Sequence, residues 1–357
     1  MKMRLSAMQL AALALCARCY SMMTYFPHEN NNAAVYIISV LLSSAVQALM
    51  ILPAVVLAGR TGQGAIYSAG SEKPTVSKIA AALYLLFFMW DIFMTSAGFG
   101  YFLDEYFSHR VSGIAALICI AAAAAYLSGL RSSVLGKCAG ITLAVFVSFT
   151  LLLVLSALDR TDASAFHFAV DDIGGTLAQD VKLDILRSRE VVMLAFLLGD
   201  VKGSHAKSAY SYIGVKAFIV SFVAAFAVLV MGDFAFSTQT PFYYLSCCCT
   251  STIIERFDAG YMSVWTALAV LRLGLGLHCA SRCCAVLVSP KEKKTARRLI
   301  PFLPAAAAFV VLLFHKGKSV VYLRESLWVI ILLAGIIPLG MMLFSKQRSA
   351  ENESQQI

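Results

Sequence analysis

Arg18, Asp91 and Arg272 stand inside long apolar stretches of the chain. At the centre of a bilayer a charge costs at least ~2.5 kcal/mol even on insertion scales, so such residues face a bundle interior and find partners. Asp91 and Arg272 sit at nearly the same depth from Lys78 and Asp258, the charged residues near the start of their segments. That matching depth predicts an ion pair across the core. It could belong to a solute site or serve only to fix helix packing. Arg18 has no evident acidic partner in the other apolar segments. A spare guanidinium suits a solute carboxylate, because its planar fork matches two oxygens. The other reading of Arg18 is a side chain that snorkels to the membrane surface.

The element that must position these groups is the stretch REVVMLAFLLGDVKGSHAK, Arg189 to Lys207. Only nine of its residues, Val191 to Gly199, run without a charge, whereas a membrane-spanning helix takes about 20 predominantly apolar residues. A short, Gly-interrupted segment among longer ones reads as a broken helix whose freed backbone lines a solute site. A surface helix, or the end of a longer span with a polar flank, is the alternative. It follows five apolar segments and precedes four, which makes it the sixth of ten and the start of a second repeat.

Composition agrees. With 60% hydrophobic and 14% charged residues in 357 and a mean hydropathy of +0.78, the chain reads as a polytopic membrane protein. The net charge of +9 is spread over alternate short loops in the positive-inside manner, so nucleic acid is not the expected partner. Expected spans run over 5–26, 33–58, 78–102, 111–127, 134–158, the short sixth segment, 210–231, 259–288, 299–314 and 322–344. The acidic stretch 159–188 is expected as an outside loop, and Thr240 to Asp258 as a re-entrant or interfacial segment. The tract PKEKKTARR, Pro290 to Arg298, marks the cytoplasmic side, which places both termini there. The fold expected is thus an all-α polytopic membrane protein of about ten transmembrane helices. They form one permease-like domain of two inverted five-helix repeats, 5–158 and 189–344, with a cytoplasmic tail over 345–357.

Most of the ten cysteines fall in apolar segments, where cysteine behaves as a small hydrophobe. The groups Cys247 to Cys249 and His278, Cys279, Cys283 and Cys284 lack paired metal-ligand spacing, so packing is their expected role. No Walker loop, GxSxG or HExxH occurs, so neither an enzyme nor a cofactor or metal is expected.

Three stretches carry a resemblance to a family. RLSAMQLAALAL at the start holds a Ser-x-x-Gln before helix one, LLGDVKGSHAK closes the sixth segment, and PF followed by ERFDAGYMSVW leads into helix eight. In these the chain resembles the spore germination permeases, the B-type subunits of nutrient germinant receptors, within the amino acid, polyamine and organocation transporter superfamily. The resemblance implies a permease fold, discontinuous at helices one and six, that senses a small nutrient such as an amino acid. It also implies partner receptor subunits and a place in the inner membrane of a spore. One departure stands out: the family shows glycine in an unwound helix one, and CARCYSMM, Cys16 to Met23, has none. The expected solute site gathers Arg18, Tyr20 and Ser21 from helix one with Asp91 from helix three. Phe196, Leu198 and Gly199 from helix six and Arg272 from helix eight complete it. A secondary transporter of amino acids or related organic ions, and an assembly subunit with no solute site, are the competing functions.

Overall fold

The protein is described from a computed structural model over residues 5–24, 33–62, 64, 74–107, 113–165, 172–238, 240–249, 257–287 and 327–344. Within them the apolar segments are helices, the form in which a chain meets every backbone hydrogen bond without water. They are α1 (Ala7–Thr24), α2 (Ala33–Thr61), α3 (Pro74–Phe107), α4 (Gly113–Gly129) and α5 (Ser132–Ala157). Two shorter ones, α6 (Ile173–Arg187) and α7 (Glu190–Leu197), precede α8 (His205–Met231). Then come the small α9 (Phe234–Ser237) and α10 (Pro241–Cys248), and the long α11 (Phe257–Leu287). The last stretch holds α12 (Leu327–Ile331), a π-helical turn (Leu332–Ile336) and α13 (Ile337–Phe344). Five of these, α2, α3, α5, α8 and α11, are long and apolar enough to cross a membrane. Large apolar side chains such as Leu49, Leu86, Ile141 and Phe218 are exposed on them, as lipid-facing positions require. The chain is an all-α polytopic membrane protein. The expected ninth span and the tract 290–298 lie outside the described residues.

Helix α1 is one unbroken α-helix, so the discontinuity that the family pattern implied for helix one is absent. The physical reason is in the sequence: with no glycine from Cys16 to Met23, nothing there lowers the cost of leaving helical geometry. Its start is fixed by the Ser-x-x-Gln motif, which is a capping box. The Ser6 amide donates to Gln9 Oε1 at 2.9 Å and the Gln9 amide to Ser6 Oγ at 3.2 Å, satisfying two otherwise open donors.

The sixth span is broken, at a place the sequence did not suggest. Helix α6 ends at Arg187, Ser188 leaves helical geometry with ψ 46°, and α7 starts at Glu190. A 3₁₀ turn, Leu198–Asp200, then closes the span. The second half of the expected outside loop is therefore helix, beginning at Ile173. Asp172 caps it, its side chain accepting from the Gly175 amide at 3.0 Å.

Directions agree with an inverted repeat. A two-residue parallel pairing joins Leu5 to Val201 and Ser6 to Lys202, so helix one begins where helix six ends and the two run antiparallel. Helices three and eight (α3 and α11) are antiparallel too. Asp91 meets Arg272, Phe99 stacks on Trp265 at 4.4 Å, and Phe102 meets Tyr261 at 6.0 Å. Gly276 lets them converge on α7: a Cβ there would come within 3.0 Å of Ile92 Cγ1 and 3.7 Å of Met193 Cε. Small residues at such crossings are what allow membrane helices to approach closely.

Candidate functional site

Two carboxylates organise the buried polar groups, one on each side of α1. The first is Asp91 in the middle of α3, buried to 1% exposure. Its Oδ1 receives Arg272 Nη2 at 2.8 Å and Arg189 Nε at 3.1 Å. Arg272 also donates through Nη1 to the Ala17 carbonyl at 2.8 Å and to Ser21 Oγ, and its guanidinium lies 5.8 Å from the Tyr20 ring centre. The Asp91–Arg272 pair expected from matched depth is present. Arg189, at the helix break, joins it as a second cation.

The second carboxylate is Asp184 of α6, equally buried at 2%. Arg18 and Lys216 both pair with it, Lys216 Nζ at 2.6 Å. Ser43 donates to it as well, and Gln47 Nε2 lies 3.3 Å from its Oδ2. Helices α1, α2, α6 and α8 thus meet at one aspartate. This corrects the expectation that Arg18 lacks an acidic partner and replaces the snorkelling alternative. Its partner was hidden in the stretch read as a loop. One signal in the sequence pointed to it: Asp180 and Asp184 are four residues apart, on one face of a helix, and both are buried. Lys216, inside the apolar span of α8, was passed over in the same way.

Glu190 stands between the two groups, at the first position of α7 and wholly buried. Tyr212 of α8 donates to its Oε1 at 2.6 Å. It acts electrostatically on both Arg18 and Arg272. Buried charges are tolerable in low dielectric only when paired and hydrogen-bonded, and here carboxylates and cations alternate. Some hydrogen-bonding capacity is nevertheless left over: among the described residues no group meets Arg18 Nε and Nη1, Arg272 Nε or Glu190 Oε2. These unmet atoms all lie beside the broken helix.

The other expected site residues are placed as follows. Tyr20 and Ser21 join the Arg272 group, Tyr20 also donating to the Thr95 carbonyl at 3.0 Å and stacking on Trp265 at 5.9 Å. Phe196 lies in an aromatic group with Tyr84 (5.2 Å) and Phe88 (5.0 Å), under the guanidinium of Arg282 at 5.9 Å. Leu198 and Gly199 are buried but lie at the far end of α7, eight residues or about 12 Å of helix beyond Glu190. The irregular backbone next to the charges is Ser188–Arg189.

Side-chain pairs tie the helices together at both ends of the core. At the Leu5 end, Arg282 pairs with Asp200, Nη2 to Oδ1 at 2.8 Å. At the Thr24 end, Trp265 Nε1 donates to Thr24 Oγ1 at 2.9 Å and Tyr261 to the Met23 carbonyl at 2.6 Å. Among the described residues no cluster of His, Cys, Asp and Glu could hold a metal ion. All ten cysteines are free.

No family model matches the sequence, and no curated protein matches it. Among solved structures the chain is similar to a Na+-coupled sialic acid symporter in a substrate-bound, outward-open state. The two share 12% identity with a TM-score of 0.63, over 95% of this chain and 78% of the other. At that identity the likeness is one of fold.

Proposed function

We propose that the protein is a secondary transporter of a small organic solute carrying a carboxylate, such as an amino acid. One observation carries this reading: the helix break at Ser188–Arg189 lies between two buried ionic groups that have polar atoms to spare. Broken helices at the membrane midplane are where transporters of this architecture bind solutes and ions. Arg18, with Nε and Nη1 unmet beside its pair with Asp184, is the group suited to the solute carboxylate. Arg272, Asp91, Tyr20 and Ser21 form the opposite wall. The likeness of fold to a symporter supports transport. Binding by the purified protein, followed by uptake into proteoliposomes, tests it. A panel of amino acids should contain at least one that raises the melting temperature, since a ligand specific to the folded state stabilises it. The same compound should then accumulate in vesicles. If no member of the panel binds, the reading is wrong.

A second reading is favoured by the sequence stretches at 4–15, 197–207 and 255–265: a germinant-sensing subunit of a spore receptor, working beside partner subunits in the spore inner membrane. Binding without uptake would support it over transport. The structure gives these stretches physical roles in the fold, as capping box, closing turn and the Tyr261–Trp265 lock on α1.

The orientation proposed is both termini in the cytoplasm. In a variant stripped of native cysteines, probes placed at Thr161 and Thr295 should react from opposite sides of the membrane. Labelling of both from one side would overturn it.

A further inference from the structure

Among the described residues, Glu190 is a buried carboxylate with an oxygen to spare. Tyr212 holds Oε1, while Oε2 has no donor among the described residues although Glu190 is completely buried. The charged and titratable groups facing it come from all sides. They are Arg18 and Cys19 of α1, Tyr212 and Lys216 of α8, and Arg272 of α11. The π-helical turn packed on α7 contributes only Leu332 to Ile336, with no titratable group. On α2 the polar side chains Ser43 and Gln47 are turned to Asp184.

We propose that Glu190 is a proton-binding site and that the proton is the ion coupled to solute movement, an inference that rests on the transporter reading. Two features separate a proton from a metal cation here. A sodium ion in a transporter is held by several oxygens, largely backbone carbonyls of unwound helix, and the oxygens nearest the buried cations of this core already accept from them. The Ala17 carbonyl, Ser21 Oγ and Asp91 Oδ1 all receive Arg272, and Asp184 receives Arg18 and Lys216. Sodium would have to enter among four cationic side chains. A proton needs one free oxygen and no ring of ligands, and Oε2 supplies it.

The coupling then follows from charge. Protonating Oε2 forms one O–H bond, removes the negative charge of Glu190 and leaves Arg18 and Arg272 with less compensation. A solute carboxylate restores the balance, so proton and solute enter together. When the solute leaves, the carboxylate of Glu190 is again the counter-charge and the proton is released.

Infrared spectroscopy of the purified full-length protein, titrated with acid in the absence of any solute, reads this directly. A carbonyl band of a buried carboxylic acid should grow as the pH falls, shift when glutamate is isotopically labelled, and disappear in Glu190→Gln. Replacing sodium by choline in the buffer should leave it unchanged. Should Glu190→Gln not fold, Tyr212→Phe takes its place: loss of the phenol donor should displace the same band. No glutamate band, a band retained in Glu190→Gln, one unmoved in Tyr212→Phe, or one abolished by sodium overturns the proposal. Because no solute is present, failure of the solute panel leaves this test intact. Conversely, uptake by a protein lacking the band would reject the proton site alone.

Discussion

Replacing Asp184 by alanine will destabilise the protein more than any other single substitution in the core. Removing one partner of a buried pair costs roughly 3–5 kcal/mol because the remaining charge is stranded. Here one deletion strands two cations, Arg18 and Lys216, and takes the acceptor from Ser43 and Gln47. The loss should therefore reach at least the top of that range. It is read as a lowered melting temperature of the detergent-purified protein and a reduced yield from membranes. Asp184→Ala combined with Lys216→Met removes one stranded cation and should recover part of the loss. A single Asp184→Ala variant as stable as the wild type would show that the four helices do not depend on this aspartate.

The second large effect concerns Asp91 and Arg272, and here function and stability can be separated. Asp91→Ala alone leaves Arg272 and Arg189 without their shared carboxylate and should cripple folding by a similar roughly 3–5 kcal/mol. Asp91→Asn together with Arg272→Gln keeps the shapes and removes one charge of each sign. Arg189 still loses a counter-charge, so a modest destabilisation is expected, smaller than for either single change. Solute binding should be lost all the same, since the wall facing Arg18 no longer carries its charges. A double variant that folds and binds solute as the wild type does would confine the pair to helix packing.

That pair was legible in the sequence because each member stands alone in a long apolar run, where a charge cannot be overlooked. The sixth span was half legible. Its apolar half, Val191 to Gly199, announced a helix too short to cross. Its polar half, Ile173 to Arg187, carries two aspartates, Lys182 and Arg187 in fifteen residues, and by composition it resembles a loop. What makes it a helix with buried aspartates is tertiary. Asp184 is tolerated because Arg18, Lys216, Ser43 and Gln47 reach it from three other helices, residues separated from it by 32 to 166 positions. A local reading of hydropathy has no access to those partners. For the same reason the break was expected at Gly199, the residue with the conformational freedom. It occurs at Ser188, whose hydroxyl donates to the Asp184 carbonyl at 2.8 Å and lies 3.2 Å from Gln47 Nε2. Helix one went the other way: its missing glycines were visible, and it is continuous.

The claim on which the account stands is that a solute binds at the break in the sixth span. The structure of the protein with a stabilising solute bound tests it most directly. The solute carboxylate should lie on the free edge of Arg18, with the remainder of the molecule against Ser188–Arg189 and facing Tyr20, Ser21 and Arg272. A solute bound elsewhere, with Arg18 still held only by Asp184 and the helix around Ser188 undisturbed, would contradict it.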